Sequence, residues 1–128
     1  MAVNMNMNIL IVDDYKSMLR IVEDLLKYLG FKNIYQATDG SAALKLMREV
    51  PFGLVISDWY MLPMNGYQLL QEVRADAQLK AIPFIMVTAE NKTENAIAAK
   101  QAGVNNYILK PFNVETLKQK MVAVLGNF

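Results

Sequence analysis

The 128-residue sequence contains no cysteine and no histidine. The missing cysteine excludes disulfides and thiolate metal sites and is compatible with a reducing compartment. The missing histidine removes the commonest general base and the commonest transition-metal ligand. Any chemistry must therefore use carboxylates, hydroxyls, lysine and a hard cation.

An excess of one charge sign is also missing, because 13 basic residues nearly balance 12 acidic ones. Binding to nucleic acid or to a membrane surface usually needs a basic surplus, so neither partner is predicted. Residues 1–8 have no basic start or long apolar run, and they predict a short, partly frayed terminus. With 54% apolar residues, the chain is expected to form one cytoplasmic domain over residues 1–128.

Short apolar runs alternate with longer amphipathic stretches. Three runs rich in branched residues are typical of parallel strands covered on both faces: 9–12, 54–56 and 84–87. Weaker candidates at 33–37 and 107–109 are expected nearer the sheet edges. Helical spacing of the apolar residues between these runs predicts five helices. The alternation indicates an α/β fold with a doubly wound, five-stranded parallel sheet.

Helix boundaries are marked by caps and breakers. Gly30 is placed to end the first helix, and Asp39 to cap the second, which Pro51 stops. The third helix is predicted after Gly66, and the alanine-rich, weakly apolar segment 92–102 is predicted as the fourth.

Polar residues stand where four of the predicted strands end. They are Asp13 and Asp14 after the first strand, Asp58 after the third, Thr88 after the fourth and Lys110 after the fifth. Each alone has an ordinary explanation as a helix cap, a turn former, an end-of-strand hydroxyl or a surface charge. Because the carboxyl ends of parallel strands share one edge, the five are expected to converge.

The residue types at this edge suit phosphoryl chemistry. Three clustered carboxylates repel one another unless protons or a cation intervene, and Mg²⁺ prefers oxygen ligands. A carboxylate beside Mg²⁺ can attack a phosphoryl group and form an aspartyl phosphate. Lys110 can supply a cation and Thr88 a hydroxyl donor for the outer phosphoryl oxygens.

Five segments resemble the response-regulator receiver family, and within it the CheY-like chemotaxis branch. They are residues 9–14, 55–59, 86–90, 101–103 and 107–112. The resemblance extends from about Met7 to the C-terminus. It implies a flavodoxin-like sheet of order 2-1-3-4-5, the order known for CheY, which alternation alone leaves open. It also implies a single receiver domain with no output domain.

The resemblance assigns the metal site to four residues. Asp58 would be the phosphoacceptor and a ligand, while Asp13 and Asp14 would hold Mg²⁺, one of them partly through water. The backbone carbonyl of Tyr60 would complete the set. Tyr60 stands where the best-known relatives have Asn, near the route of the attacking water, so a different phosphoryl lifetime is expected.

The remaining roles concern the phosphoryl oxygens and the switch. Thr88 and Lys110 would contact the phosphoryl oxygens, and Tyr107 would rotate inward as Thr88 shifts. The Lys110–Pro111 peptide would be cis. The loop after the phosphoacceptor departs from the family pattern, with Pro63 one place late and Asn65 replacing Asp. A different loop shape with unchanged ligands is expected.

The implied function is a phosphorylation-activated response regulator of a two-component system. A CheA-like sensor histidine kinase would phosphorylate Asp58, and the face of helix 4, strand 5 and helix 5 would bind an output protein, the flagellar motor switch in chemotaxis. The protein would act as a monomer that catalyses only its own phosphorylation and dephosphorylation. The corresponding positions are Asn91, Ala96, Lys100, Tyr107, Leu109 and Lys120.

Some features of this face favour a different partner, and other functions stay open. Ala96 is smaller than the apolar residue expected, and Lys100 adds a charge, although both are compatible with ordinary solvated positions. A phosphorelay shuttle and a phosphate sink are alternatives. An aspartate-nucleophile phosphatase fits less well, because its motif is Asp-x-Asp after the first strand with an added cap region. A non-phosphorylated interaction module would not need all five site residues.

Overall fold

The chain folds into a three-layered α/β/α sandwich, described for residues 3–128 by a computed structural model. Five parallel strands lie in the order β2-β1-β3-β4-β5, which confirms the predicted fold and places the two weaker strand candidates at the edges. The strands are β1 (Asn8–Val12), β2 (Asn33–Ala37), β3 (Leu54–Asp58), β4 (Phe84–Thr88) and β5 (Asn106–Leu109). The helices are α1 (Lys16–Tyr28), α2 (Gly40–Glu49), α3 (Gly66–Ala75), α4 (Thr93–Gln101) and α5 (Val114–Leu125).

The sheet is buried on both faces, as the continuous apolar runs predicted. Successive residues of a strand point to opposite faces, so Ile9 and Ile11 of β1 pack on one side and Leu10 and Val12 on the other. Helices α1 and α5 cover the first side, and α2, α3 and α4 cover the second. Val3 and other N-terminal side chains pack against the apolar cluster between the sheet and helices α1 and α5. Part of the predicted frayed terminus therefore contacts the body of the domain. Residues 1 and 2 lie outside the described residues.

Three helices begin with side-chain caps, and in α5 the cap is the Asn113 side chain, which accepts from the backbone N–H of Thr116. The carboxylate of Asp39 accepts hydrogen bonds from the backbone of Ser41 and Ala42, as predicted. Asn65 and Gln68 form a reciprocal capping box at the start of α3. The Asn that departs from the family pattern is therefore a helix cap.

At the amino-terminal edge of the sheet, one side chain joins three segments. The guanidinium of Arg74, at the end of α3, donates to the backbone oxygens of Lys80, Ile82 and Gly103 at 3.0, 2.7 and 2.9 Å. It also donates to the Asn105 side chain at 2.8 Å. Burial lowers the pKa of Arg74, and these acceptors compensate for its lost hydration.

Among the helices of residues 3–128, none is long and apolar enough to cross a bilayer.

Candidate functional site

Three carboxylates meet at the carboxyl edge of the sheet, where the sequence placed them. Asp13 and Asp58 are buried and Asp14 is exposed, with one oxygen of each within 4.8 Å of the others. β3 extends to Asp58 and β4 to Thr88, because both residues are still paired, with Val87 and Leu109. Both residues therefore end their strands, where the sequence placed them just beyond, and the sheet fixes their positions.

Lys110 lies between the two buried carboxylates. Its ammonium is 3.0 Å from Asp58 Oδ1 and 3.2 Å from Asp13 Oδ2. The other oxygen of Asp13 accepts a hydrogen bond from the backbone of Tyr15 at 3.0 Å. Two negative charges and one positive charge thus share a largely buried space, so the cluster retains a negative charge that a cation can offset.

Burial and ion pairing together determine the pKa values of Asp58 and Lys110. It raises the pKa of Asp58, against the opposing influence of the Lys110 ion pair. Burial works to lower the pKa of Lys110, but the pairs with Asp58 and Asp13 outweigh it and raise that pKa. Lys110 is therefore held as a cation, whereas the ionised form of Asp58 is destabilised in the folded protein.

Asp58→Asn is expected to stabilise the metal-free protein. The raised pKa means that folded Asp58 keeps its proton at a pH where the unfolded chain has lost it, so stability falls as pH rises above about 4. Removing the charge should add about 1 kcal/mol or more at pH 7, and this gain should disappear towards pH 3. Urea denaturation in EDTA across this pH range measures it. A gain independent of pH would contradict the electrostatic explanation.

Thr88 and Tyr107 lie beside the cluster. The Thr88 hydroxyl is buried and accepts a 3.2 Å hydrogen bond from the backbone of Glu90. The Tyr107 ring packs edge-on against Trp59, with ring centres 6.5 Å apart. Its hydroxyl is buried and has no hydrogen-bond partner among residues 3–128. Burial raises the pKa of Tyr107, which keeps the phenol neutral.

The loop after Asp58 is closed by a glycine contact that the sequence did not reveal. The backbone N–H of Gly66 donates to the Trp59 carbonyl at 2.8 Å. A Cβ at Gly66 would lie 2.1 Å from the Asp58 carbonyl oxygen. The Trp59 ring is buried and stacks on Tyr67, with the ring centres 5.2 Å apart. Leu62–Pro63 is cis, and so is Lys110–Pro111, as predicted.

The Tyr60 side chain contacts the segment after β4 and the start of α4. Its phenol donates to Glu90 Oε2 at 3.1 Å and accepts from the Asn95 side chain at 3.1 Å. The sequence identified Tyr60 only through its carbonyl and its ring, and the contact with Asn95 gave no sequence signal.

The predicted partner-face positions are accessible. Four are exposed, whereas Tyr107 and Lys120 are partly buried; the exposed positions are Asn91, Ala96, Lys100 and Leu109. Leu109 is the apolar member, with 41% of its surface exposed.

The residues at this edge fit a hard divalent cation. The donors are carboxylate oxygens, and their excess negative charge has only the single ammonium of Lys110 to offset it within the cluster. Mg²⁺ takes one or two carboxylates and keeps several waters, which suits a cluster with one exposed member.

A receiver domain is defined by a parallel sheet of order 2-1-3-4-5 with an acidic cluster at its carboxyl edge. A threonine and a lysine from the next two strands lie beside that cluster. The family model described as the response regulator receiver domain matches residues 9–122, and the chain belongs to this family. CheY-like receivers are phosphoacceptor switches and not conventional enzymes.

Named relatives place the chain near chemotaxis proteins. It is 52% identical over 118 residues to chemotaxis protein CheY-3 of Vibrio cholerae, covering 92% of this chain and 91% of the relative. The structure of V. cholerae CheY4 is similar with a TM-score of 0.87 and 33% identity, covering 94% and 99% of the two chains. The receiver domain of a sensor histidine kinase from Pseudomonas aeruginosa, solved with magnesium coordinated in its active-site cleft, has a TM-score of 0.85 and 25% identity, covering 95% and 99%.

Proposed function

We propose that this protein is a phosphorylation-activated response regulator, phosphorylated on Asp58 by a sensor histidine kinase. The observation that carries the proposal is the position of Asp58, which is buried 3.0 Å from Lys110 and clustered with Asp13 and Asp14. Burial raises the free energy of the ionised Asp58 carboxylate, and this ionised form is the nucleophile that attacks phosphorus to give an acyl phosphate. The same neighbours can then contact the transferred group.

In the transfer, an Asp58 oxygen attacks phosphorus while the bond from phosphorus to the histidine nitrogen of the kinase breaks. Lys110 exchanges its contact with the Asp58 carboxylate for one with a phosphoryl oxygen. The Thr88 hydroxyl can donate to a second oxygen. Asp13, Asp14, Asp58 and the carbonyl of Tyr60 would hold Mg²⁺, which supplies charge neutralisation for the carboxylates and the phosphoryl oxygens.

The proposed switch is the pairing of Thr88 with Tyr107. If the Thr88 hydroxyl turns towards the phosphoryl group, the space beside the buried Tyr107 phenol changes. The buried position of the Tyr107 phenol is then more strongly favoured in the state where Thr88 is engaged, which is a population shift between two arrangements.

The proposed output is a change in partner binding at the face of α4, β5 and α5. The names of the relatives support a chemotaxis role. In that role we propose a CheA-like kinase upstream and the flagellar motor switch downstream. We infer that the protein works as a monomer in the cytoplasm, and that it catalyses only its own phosphorylation and dephosphorylation. The single domain without an output domain stays a prediction.

Intact mass after incubation with Mg²⁺ and a small phosphodonor tests the function. Wild type should gain one phosphoryl group, and the gain should be lost with EDTA or in Asp58→Asn. Asn has nearly the shape of Asp but cannot form the acyl phosphate. An adduct of equal yield on Asp58→Asn would place the acceptor elsewhere, and no adduct on wild type would favour the non-phosphorylated interaction module.

Tyr60→Asn is expected to shorten the lifetime of phosphorylated Asp58 several-fold. The hydrogen bonds to Glu90 and Asn95 fix the Tyr60 ring two residues after Asp58, where we expect it to restrict the approach of water. Loss of phosphate after removal of the donor measures the rate. Tyr28→Asn, which alters an exposed tyrosine of α1, is the control. Equal lifetimes for wild type and Tyr60→Asn would contradict the shielding role.

A further inference from the structure

Helix α4 (Thr93–Gln101) buries little of its surface against the rest of the domain. Ala99 is its single buried residue, whereas the exposed fraction of Ile97 is 52%. By contrast, α1, α2 and α3 each bury three or four residues. Because helices in proteins derive most of their stability from a buried apolar face, α4 needs other contacts to hold its position.

The start of α4 is also poorly capped. Lys92 occupies the N-cap position and provides no side-chain hydrogen bond to the first turn. Its positive charge lies near the positive end of the helix dipole, where a cation is unfavourable. The Lys92 ammonium forms an ion pair with Glu90 Oε2 at 2.8 Å.

Tyr60 links this weak helix start to the loop of the phosphorylation site. Its hydroxyl lies between Glu90 Oε2 and the Asn95 amide, with both distances 3.1 Å. Asn95 lies in the first turn of α4, and Tyr60 lies two residues after Asp58. Hydrogen bonds from Lys92 and Tyr60 lower the pKa of Glu90, so its carboxylate is ionised and is a strong acceptor.

We propose that Tyr60 is a positioning residue that fixes the first turn of α4 to the phosphorylation-site loop through Glu90 and Asn95. The link is separate from the Thr88–Tyr107 pair and joins α4 to the chain segment that contains Asp58. Its consequence for signalling rests on the proposed function, because α4 carries Ala96 and Lys100 of the predicted partner face. The mechanical link itself needs neither metal nor phosphoryl group.

Amide hydrogen exchange of the full chain in EDTA tests the link with Tyr60→Phe, which removes only the hydroxyl. Amides of residues 97–101, whose helical bonds depend on the first turn, should exchange roughly three- to tenfold faster, which corresponds to one or two hydrogen bonds. Amides of β1, β3 and α5 should be unchanged. Tyr28→Phe is the matched control, because Tyr28 is 79% exposed on α1.

A second variant separates a specific link from general loosening. Asn95→Ala should accelerate hydrogen exchange of the same amides. Exchange in the double variant should be faster than in the faster single variant by less than about twofold, because both changes break the same bridge. Unchanged α4 exchange in Tyr60→Phe, or independent effects that multiply in the double variant, would overturn the proposal. If the link is confirmed while no Asp58 adduct forms, the proposed function fails and the link remains.

Discussion

Gly66→Ala is expected to destabilise the protein by about 3 kcal/mol or more, which is a large fraction of the roughly 5–15 kcal/mol that stabilises a typical domain. The added methyl would lie 2.1 Å from the carbonyl oxygen of Asp58 and 3.0 Å from its carbonyl carbon. Both are backbone atoms of a central strand, so they cannot move aside as a side chain can. The φ of Gly66 is not in the left-handed region, so lack of space is the cause.

Urea denaturation of Gly66→Ala beside Gly53→Ala measures this effect. A Cβ at Gly53 would meet the Met7 side chain, with the sulfur at 2.8 Å, and a methionine can change its rotamer. Gly53→Ala should therefore lose about 1 kcal/mol or less. A Gly66 variant within about 1 kcal/mol of wild type would show that α3 can move away from β3 at little cost.

Lys110→Ala is expected to slow phosphorylation of Asp58 by about 100-fold or more, in line with the loss of one preorganised charged donor. The ammonium is placed to neutralise a phosphoryl oxygen because it already contacts Asp58 at 3.0 Å. Its removal also leaves the buried Asp13 and Asp58 carboxylates without their shared cation.

The rate of adduct formation by intact mass, at fixed Mg²⁺ and phosphodonor, is the measurement. Lys100→Ala is the control, because Lys100 is an exposed lysine of α4 away from the carboxylates. Lys110→Arg keeps the charge with a different shape, and its intermediate rate would separate charge from geometry. A Lys110→Ala rate within threefold of wild type would mean that another group neutralises the phosphoryl oxygens.

The strands and the shared edge were predictable because their signals are local. A run such as Ile9–Val12 is apolar without interruption, and parallel topology then brings Asp13 and Asp58 together without further information. The weakness of α4 was also visible, since its alanine-rich segment lacks an apolar stripe. The strand order needed the resemblance to receivers, because alternation permits several orders.

The missed features depend on contacts between distant residues. No local pattern indicates that Gly66 touches the backbone of Asp58, or that the Tyr60 phenol reaches Asn95, which is 35 positions away. Asn65 did carry a local signal, because Gln68 follows three positions later in the spacing of a capping box. That spacing would have explained the replacement of Asp in the family pattern.

The Arg74 contacts make the two ends of the sandwich unequal in stiffness. At one end a single guanidinium holds the end of α3, the approach to β4 and the turn before β5. At the other end, the start of α4 is joined to the loop after Asp58 by side-chain hydrogen bonds of Tyr60 that are exposed to water. We therefore expect a ligand at the carboxyl edge to displace the start of α4 more than its end, next to which Arg74 holds Gly103. Such a displacement would alter the partner face through α4, in addition to the Thr88–Tyr107 route through β4 and β5.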